Sequence, residues 1–281
     1  MTMNRICAGV FGVLLFAFAH AQTAEPVFGA ALIKPVTLRT PSTVIFKPGG
    51  RLTANGVTVS QLVRAAYGIP DGSGRLGKGP NWLDIEKFDV QAIADEGAIP
   101  ERLDNAQLRE RMQPLLQRLL AERFKLVIRH ERKEMPVYEL TAAKSGTKLT
   151  EAPIGEAECR TSIDCHQFLG DGFHGLRGAG VNMADLAFTL ERWTYRPVVD
   201  ATGVVGLFSV EIRPFANMNL RPQQELDDFL AMHPEVRRPP DEPSRPSVFS
   251  VLEKDFGLLL RPTHARIETI QIESVERPSA N

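Results

Sequence analysis

The feature that most constrains this chain is that part of it occurs twice. RLTANGVTVSQL (51–62) aligns with GLRGAGVNMADL (175–186), matching Leu52 with Leu176, Gly56 with Gly180, Val57 with Val181 and Leu62 with Leu186. LLAERFKLVIRHERKEMPVYEL (119–140) aligns with VLEKDFGLLLRPTHARIETIQI (251–272), matching Leu120 with Leu252, Phe124 with Phe256 and Leu126 with Leu258. Self-similarity of this kind predicts one supersecondary unit used twice.

Each copy has the same local chemistry. Thr58 and Asn182 stand where a helix N-cap is needed, since each can accept an orphan backbone N–H. Apolar residues follow at Val59, Leu62, Val63 and Ala66, and at Met183, Leu186, Ala187 and Leu190, the stripe of a short amphipathic helix. FDVQAIA (88–94), PVVD (197–200) and LFSVEI (207–212) alternate or β-branch as half-buried strands do. Leu108, Met112, Leu115 and Leu119 make a further helical stripe that Pro114 should kink or split. Ser250 and Glu253 have capping-box spacing, with Pro246 offering an earlier start. The helix ends at 119–124 and 251–256 each run into what reads as two strands.

The expected fold is therefore α+β: two pseudo-repeated β-α-β-β-α-β-β modules with small mixed sheets packed on helices. The expected organisation is a signal peptide at 1–21, a first module at 22–143, a linker at 144–174 and a second module at 175–281. Residues 214–246 hold seven prolines and many charges, which predicts a surface loop with room for one short helix at 223–233.

MTMNRICAGVFGVLLFAFAHA (1–21) has Arg5 before an uncharged apolar run and ends in the small-x-small site Ala19-His20-Ala21. This predicts export with cleavage between Ala21 and Gln22, leaving the protein periplasmic or extracellular; an uncleaved N-terminal anchor is the other reading. No other stretch reaches membrane-spanning length. The chain is 43% hydrophobic and 24% charged, which excludes collagen, coiled coil and wholesale disorder. A formal net charge of −1 gives no global electrostatic case for nucleic acid.

Cys159 and Cys165 are the cysteines that survive cleavage. In an oxidising compartment they are expected to form a disulfide closing CRTSIDC. With Asp164, His166, Asp171 and His174 they could instead ligate zinc or copper, but the spacing is unusual and a disulfide would consume both thiolates. No metal and no cofactor is expected. GSGRLG (72–77) and GDGFHG (170–175) fit the dinucleotide-loop pattern but lack the strand before and helix after that would bring a pyrophosphate to a helix start. Ser145 and Lys148 fit S-x-x-K without its companion motifs. No nucleophile-elbow, zincin or calcium-loop string occurs, so no catalytic residue is assigned and the reading leans away from an enzyme. Arg123, Lys125, Arg129, Arg132 and Lys133 interleave with Glu122, Glu131 and Glu134, the pattern of a solvated face rather than a nucleic-acid patch. Trp82 and Trp193 are the candidate ligand contacts, weighed against ordinary packing.

GVTVSQLVRAAYGI (56–69), GPNWLDIEKFDVQA (79–92), GAGVNMADLAFTLERW (178–193), RPVVDATGVVGLFSVEI (196–212) and ERPSAN (276–281) resemble a soil-associated family of exported proteins. That family is heavily duplicated in acidobacterial genomes and is classified as a domain of unknown function. In pattern rather than identity, the element order with its D-x-T-G-V turn (Asp200 to Val204) is similar to the short N-terminal domain of secretins and TonB-dependent transducers. This implies a periplasmic contact module. The expectation is an exported, non-enzymatic binding or protein-interaction module, whose partner is an envelope protein or an extracellular ligand. A sheet edge near Val137 to Leu140 would accept an extended partner segment. The alternatives are a glycan or small-molecule binder using Trp82 or Trp193 between the halves, and a hydrolase of uncatalogued type.

Overall fold

The computed structural model describes residues 27–37, 42–172, 174–215 and 246–278. The expected signal peptide, the helix expected at 223–233 and most of the proline-rich segment lie outside the described residues.

The first half runs β1 (Phe28–Val36), β2 (Thr43–Lys47), β3 (Arg51–Thr58), α1 (Val59–Ala66), α2 (Trp82–Ile85), β4 (Lys87–Ala94), α3 (Asn105–Phe124) and β5 (Val127–Ala142). The second runs β6 (Thr150–Glu151), α4 (Glu156–Cys159), β7 (Leu169–Asp171), β8 (Gly175–Val181), α5 (Met183–Thr194), β9 (Val198–Asp200), β10 (Phe208–Ile212), α6 (Val248–Val251), a π turn at Leu252–Phe256 and β11 (Leu258–Ser274). The architecture is α+β.

One antiparallel sheet has the order β1-β4-β3-β2 and another β6-β10-β8-β7. The two β7 and β6 strands come from the segment 144–174. Each sheet is covered on one face by helices. Alternation along β4 buries Phe88, Val90, Ala92 and Ala94 against Leu62, Met112, Leu116 and Phe124. In the second half Leu176, Val210 and Ile212 pack against Leu186, Leu190, Val248 and Val251. Burying a side chain of this kind is worth about 1.5–3 kcal/mol, and such packing, more than propensity, holds helices as short as α1.

Both helices that follow the aligned blocks start on a capping box, Thr58 with Gln61 and Asn182 with Asp185. Each preceding strand slips register beside a left-handed glycine, Gly56 (φ 56°) and Gly180 (φ 65°). At Gly180 the reason is also steric: a Cβ there would lie 2.9 Å from the Cys165 sulfur and 3.1 Å from that of Cys159.

Two expectations need correction. α3 is a single helix through Pro114, so the expected split does not occur. The proline falls on the exposed side, and Leu108, Met112, Leu115, Leu116, Leu119 and Leu120 hold the helix to the core on both sides of it. The segments after α3 and after the π turn are also not strand pairs. Each is one long strand, and the two pair with each other antiparallel from Val127–Ser274 to Ala142–Leu258. Residues 129–135 offer no glycine, asparagine or proline to turn the chain. Glu134 and Arg266, which occupy the same column of the sequence alignment, face each other in this ribbon. The ribbon is mixed only where β9 adds in parallel to Tyr138–Leu140.

Candidate functional site

The two halves face each other across a cleft of about 600 Å³. Its walls follow from helical periodicity. α3 buries Leu108, Met112 and Leu115, which turns Asn105, Arg109 and Gln113 toward the cleft at four-residue spacing. α1 buries Leu62, Val63 and Ala66 and presents Gln61 and Arg64. From the second half, α5 buries Leu186, Ala187 and Leu190 and presents Phe188 and Arg192. The disulfide loop adds Ile163, the segment just after it adds Gln167, and β2 supplies Val44 and Phe46. Gln113 Nε2 donates to Ala65 O (3.3 Å) and Gln117 Nε2 to Ala66 O (2.9 Å), which ties the end of α1 to α3.

Three guanidinium groups line this space. Arg109 donates from both terminal nitrogens to His166 O (3.4 and 3.3 Å) and lies over the Phe188 ring at 5.6 Å. Burial pulls its pKa down, and the charges of Asp185 and Asp104 act in the opposite sense. Arg64 Nε is 3.6 Å from Asp71 Oδ1, while its Nη1 is buried without a hydrogen-bond partner. A buried polar group left unpaired costs about 1–3 kcal/mol. Arg192 is exposed and forms no ion pair among the described residues.

A smaller cavity of about 160 Å³ shares Asn105, Arg109, Gln167, Phe188 and Arg192 with the cleft and reaches His166, Asp185 and Trp193. His166 is buried, with a left-handed backbone (φ 55°), and its Nδ1 is 2.8 Å from Asp185 Oδ2. A histidine–carboxylate pair is half of a general-base device. Here the same Asp185 oxygen accepts the Asn182 N–H at 2.9 Å, so the carboxylate closes the α5 cap and moors the disulfide loop to it. Thr189 lines this cavity too, but no hydrogen bond joins it to His166 among the described residues. This pair was missed in the sequence; its signal is the capping box, whose carboxylate keeps acceptor capacity for a neighbour.

Cys159 and Cys165 are bonded, with Cα atoms 5.6 Å apart. The disulfide removes both thiolates from the ligand set considered above. His174 pairs instead with Asp171 on an exposed turn, and no cluster of three or more potential ligands occurs among the described residues. Trp82 lies outside the cleft, half-buried under the Arg277 guanidinium at 4.9 Å, while Arg277 also grips Glu86. Trp193 packs edge-on to Phe215 (5.5 Å) at the inner cavity, its indole nitrogen buried without a partner. The structure therefore does not bring the two tryptophans together.

The edge expected at Val137 to Leu140 is closed. β11 pairs with that stretch on one side and β9 takes Tyr138 to Leu140 on the other, so a third strand has no place there. The GSGRLG loop opens no helix; Leu76 bridges Ile270 instead. Lys148 of the S-x-x-K string donates to Lys254 O at 2.8 Å. In the D-x-T-G-V segment Asp200 accepts from the Thr202 N–H and hydroxyl, and Thr202 from the Val204 N–H, a self-contained turn. No helix among the described residues is long and apolar enough to cross a membrane.

A family model, DUF3738, described as a protein of unknown function, matches residues 60–275. No curated protein and no solved structure matches the chain.

Proposed function

The chain belongs to the DUF3738 family, and from that premise we propose that it is an exported, non-enzymatic binding protein whose ligand sits in the cleft between its two halves. The observation that carries this reading is the 600 Å³ cleft itself, walled by α1 and α3 of one half and by α5 and the disulfide loop of the other. Its size falls within the range of small-molecule sites, about 300–1,000 Å³. Export is supported by the leader-like pattern of residues 1–21, which ends in the small-x-small site Ala19-His20-Ala21, and by the disulfide, which suits an oxidising compartment. Binding rather than turnover is favoured because the cleft offers amides, guanidiniums and the phenyl rings of Phe46 and Phe188, and the histidine–carboxylate pair of the adjoining smaller cavity is engaged in a helix cap. Duplication of one module is the proposed origin of the two walls, supported by the shared caps, glycine bulges and sheet order.

The test is a thermal-shift screen of the protein lacking residues 1–21 against neutral sugars, sugar acids, amino acids and short peptides. A ligand at a hundred times its Kd is expected to add about 2.7 kcal/mol of stability, and Phe188→Ala should abolish the shift. No shift from any class at millimolar concentration would overturn the reading.

A second reading, a protein-contact module, is favoured by one observation. On the helix-free face of the first sheet Leu32, Ile45 and Ile93 are exposed. In-cell crosslinking would favour it if a reproducible envelope partner is captured and is lost on Ile93→Lys.

A further inference from the structure

We infer that the cleft selects an acidic sugar, a short oligosaccharide carrying carboxylates, over its neutral counterpart. This rests on the reading of the cleft as a ligand site and names the ligand's chemistry.

The charge balance carries the argument. Arg109 is already served: Asp185 and Asp104 act on its charge and His166 O accepts its N–H groups. Arg64 has one carboxylate nearby, Asp71, at 3.6 Å and on a side chain 60% exposed; this leaves Arg64 Nη1 buried without a partner. Arg192 has no carboxylate partner among the described residues and lies on the opposite wall, on α5. The cleft therefore holds one cation without a carboxylate, Arg192 of the second half, facing an unpaired guanidinium donor, Arg64 Nη1, of the first. A guanidinium presents a planar fork of N–H donors matched to a carboxylate.

The remaining lining suits a sugar. Asn105, Gln113 and Gln167 each spend only part of their amide capacity within the protein: Asn105 donates to Gln167, Gln167 donates to Ile163 O, and Gln113 donates to Ala65 O. Each side-chain amide has two donors and an acceptor oxygen, so every one of the three keeps groups for ligand hydroxyls. Phe188 and the exposed Ile163 supply apolar surface for the C–H face of a ring. Charge alone would suit any anion. The row of amides beside apolar surface favours a hydroxylated one.

The experiment is calorimetric titration of the whole protein lacking residues 1–21 with trigalacturonate, galactotriose and inorganic phosphate at matched ionic strength. The expected result is binding of trigalacturonate at least tenfold tighter than either of the others, weakening as salt rises. Arg192→Gln should lose tenfold or more of that affinity, and Arg192→Lys should recover part of it. Arg192 is exposed, so both variants should melt like the unmodified protein in the absence of ligand. Equal binding of galactotriose would overturn the acidic preference while leaving the cleft as a sugar site. Equal binding of phosphate would overturn the sugar preference. If trigalacturonate does not bind but another class in the thermal-shift screen does, with sensitivity to Phe188→Ala, the inference fails and the binding reading survives. If nothing binds, both fail.

Discussion

Glu191 shows how one residue couples the halves. It lies on α5 and is buried; its Oε1 accepts the Val198 N–H at 3.3 Å, and its Oε2 is 3.7 Å from Arg75 Nη1, beyond hydrogen-bond reach. Burial raises its pKa above the ordinary 4.5, and the Arg75 charge offsets this only in part. Between the ordinary and the raised value the folded protein binds more protons than the unfolded chain, so stability falls as pH rises through that window. Below it the cost is absent, and above it the cost is fully present. Glu191→Gln keeps the acceptor for Val198 and cannot ionise. The melting temperature of the unmodified protein should therefore drop relative to Glu191→Gln as pH is raised from about 4 to about 7. Thermal melts across that range check it; a constant difference would show that the carboxylate is ionised without cost.

At the scale of elements, α3 tests how far packing overrides local preference. Pro114 removes one backbone hydrogen bond and crowds the preceding turn, yet the helix continues to Phe124. Its exposed position means that Pro114→Ala deletes no core contact, and the variant should gain about 1–3 kcal/mol. Urea denaturation would read this as a higher midpoint at unchanged slope; no gain would mean that the proline also restrains the unfolded chain enough to compensate. The same contrast explains what was legible in the sequence. Thr58, Asn182 and the β4 alternation act over a few residues, and they read correctly. The pairing of β5 with β11 joins residues more than a hundred positions apart, and nothing within 127–142 announces a partner for its whole length. β9 closes the expected edge with only three residues. Arg64, Arg109 and Arg192 each look like part of a solvated helix face. They line one cleft only because α1 and α3 face α5, a tertiary approach with no local signature.

At the scale of the molecule, the ribbon makes the two cores share their strands. β5 enters from the first core, through Leu126 and Ile128, and ends in the second, at Tyr138 and Leu140. β11 does the reverse, starting at Leu258 and Leu260 in the second core and delivering Ile272 and Val275 to the first. Neither core is complete without a strand whose other end lies in its neighbour. Unfolding one half strips apolar surface from the other, which should make unfolding a single cooperative event. The two tryptophans can report on it, because Trp82 packs on the first core and Trp193 on the second. In Trp193→Phe and Trp82→Phe, fluorescence follows one half at a time. Urea titrations of the two variants should give coincident midpoints once each is corrected to its own stability by circular dichroism. Separated midpoints would show that the ribbon is a tether rather than a shared element. Coincidence carries a consequence for binding: walls locked through a common ribbon hold the cleft at fixed width, so a ligand should enter a preformed site without closure of one half upon the other.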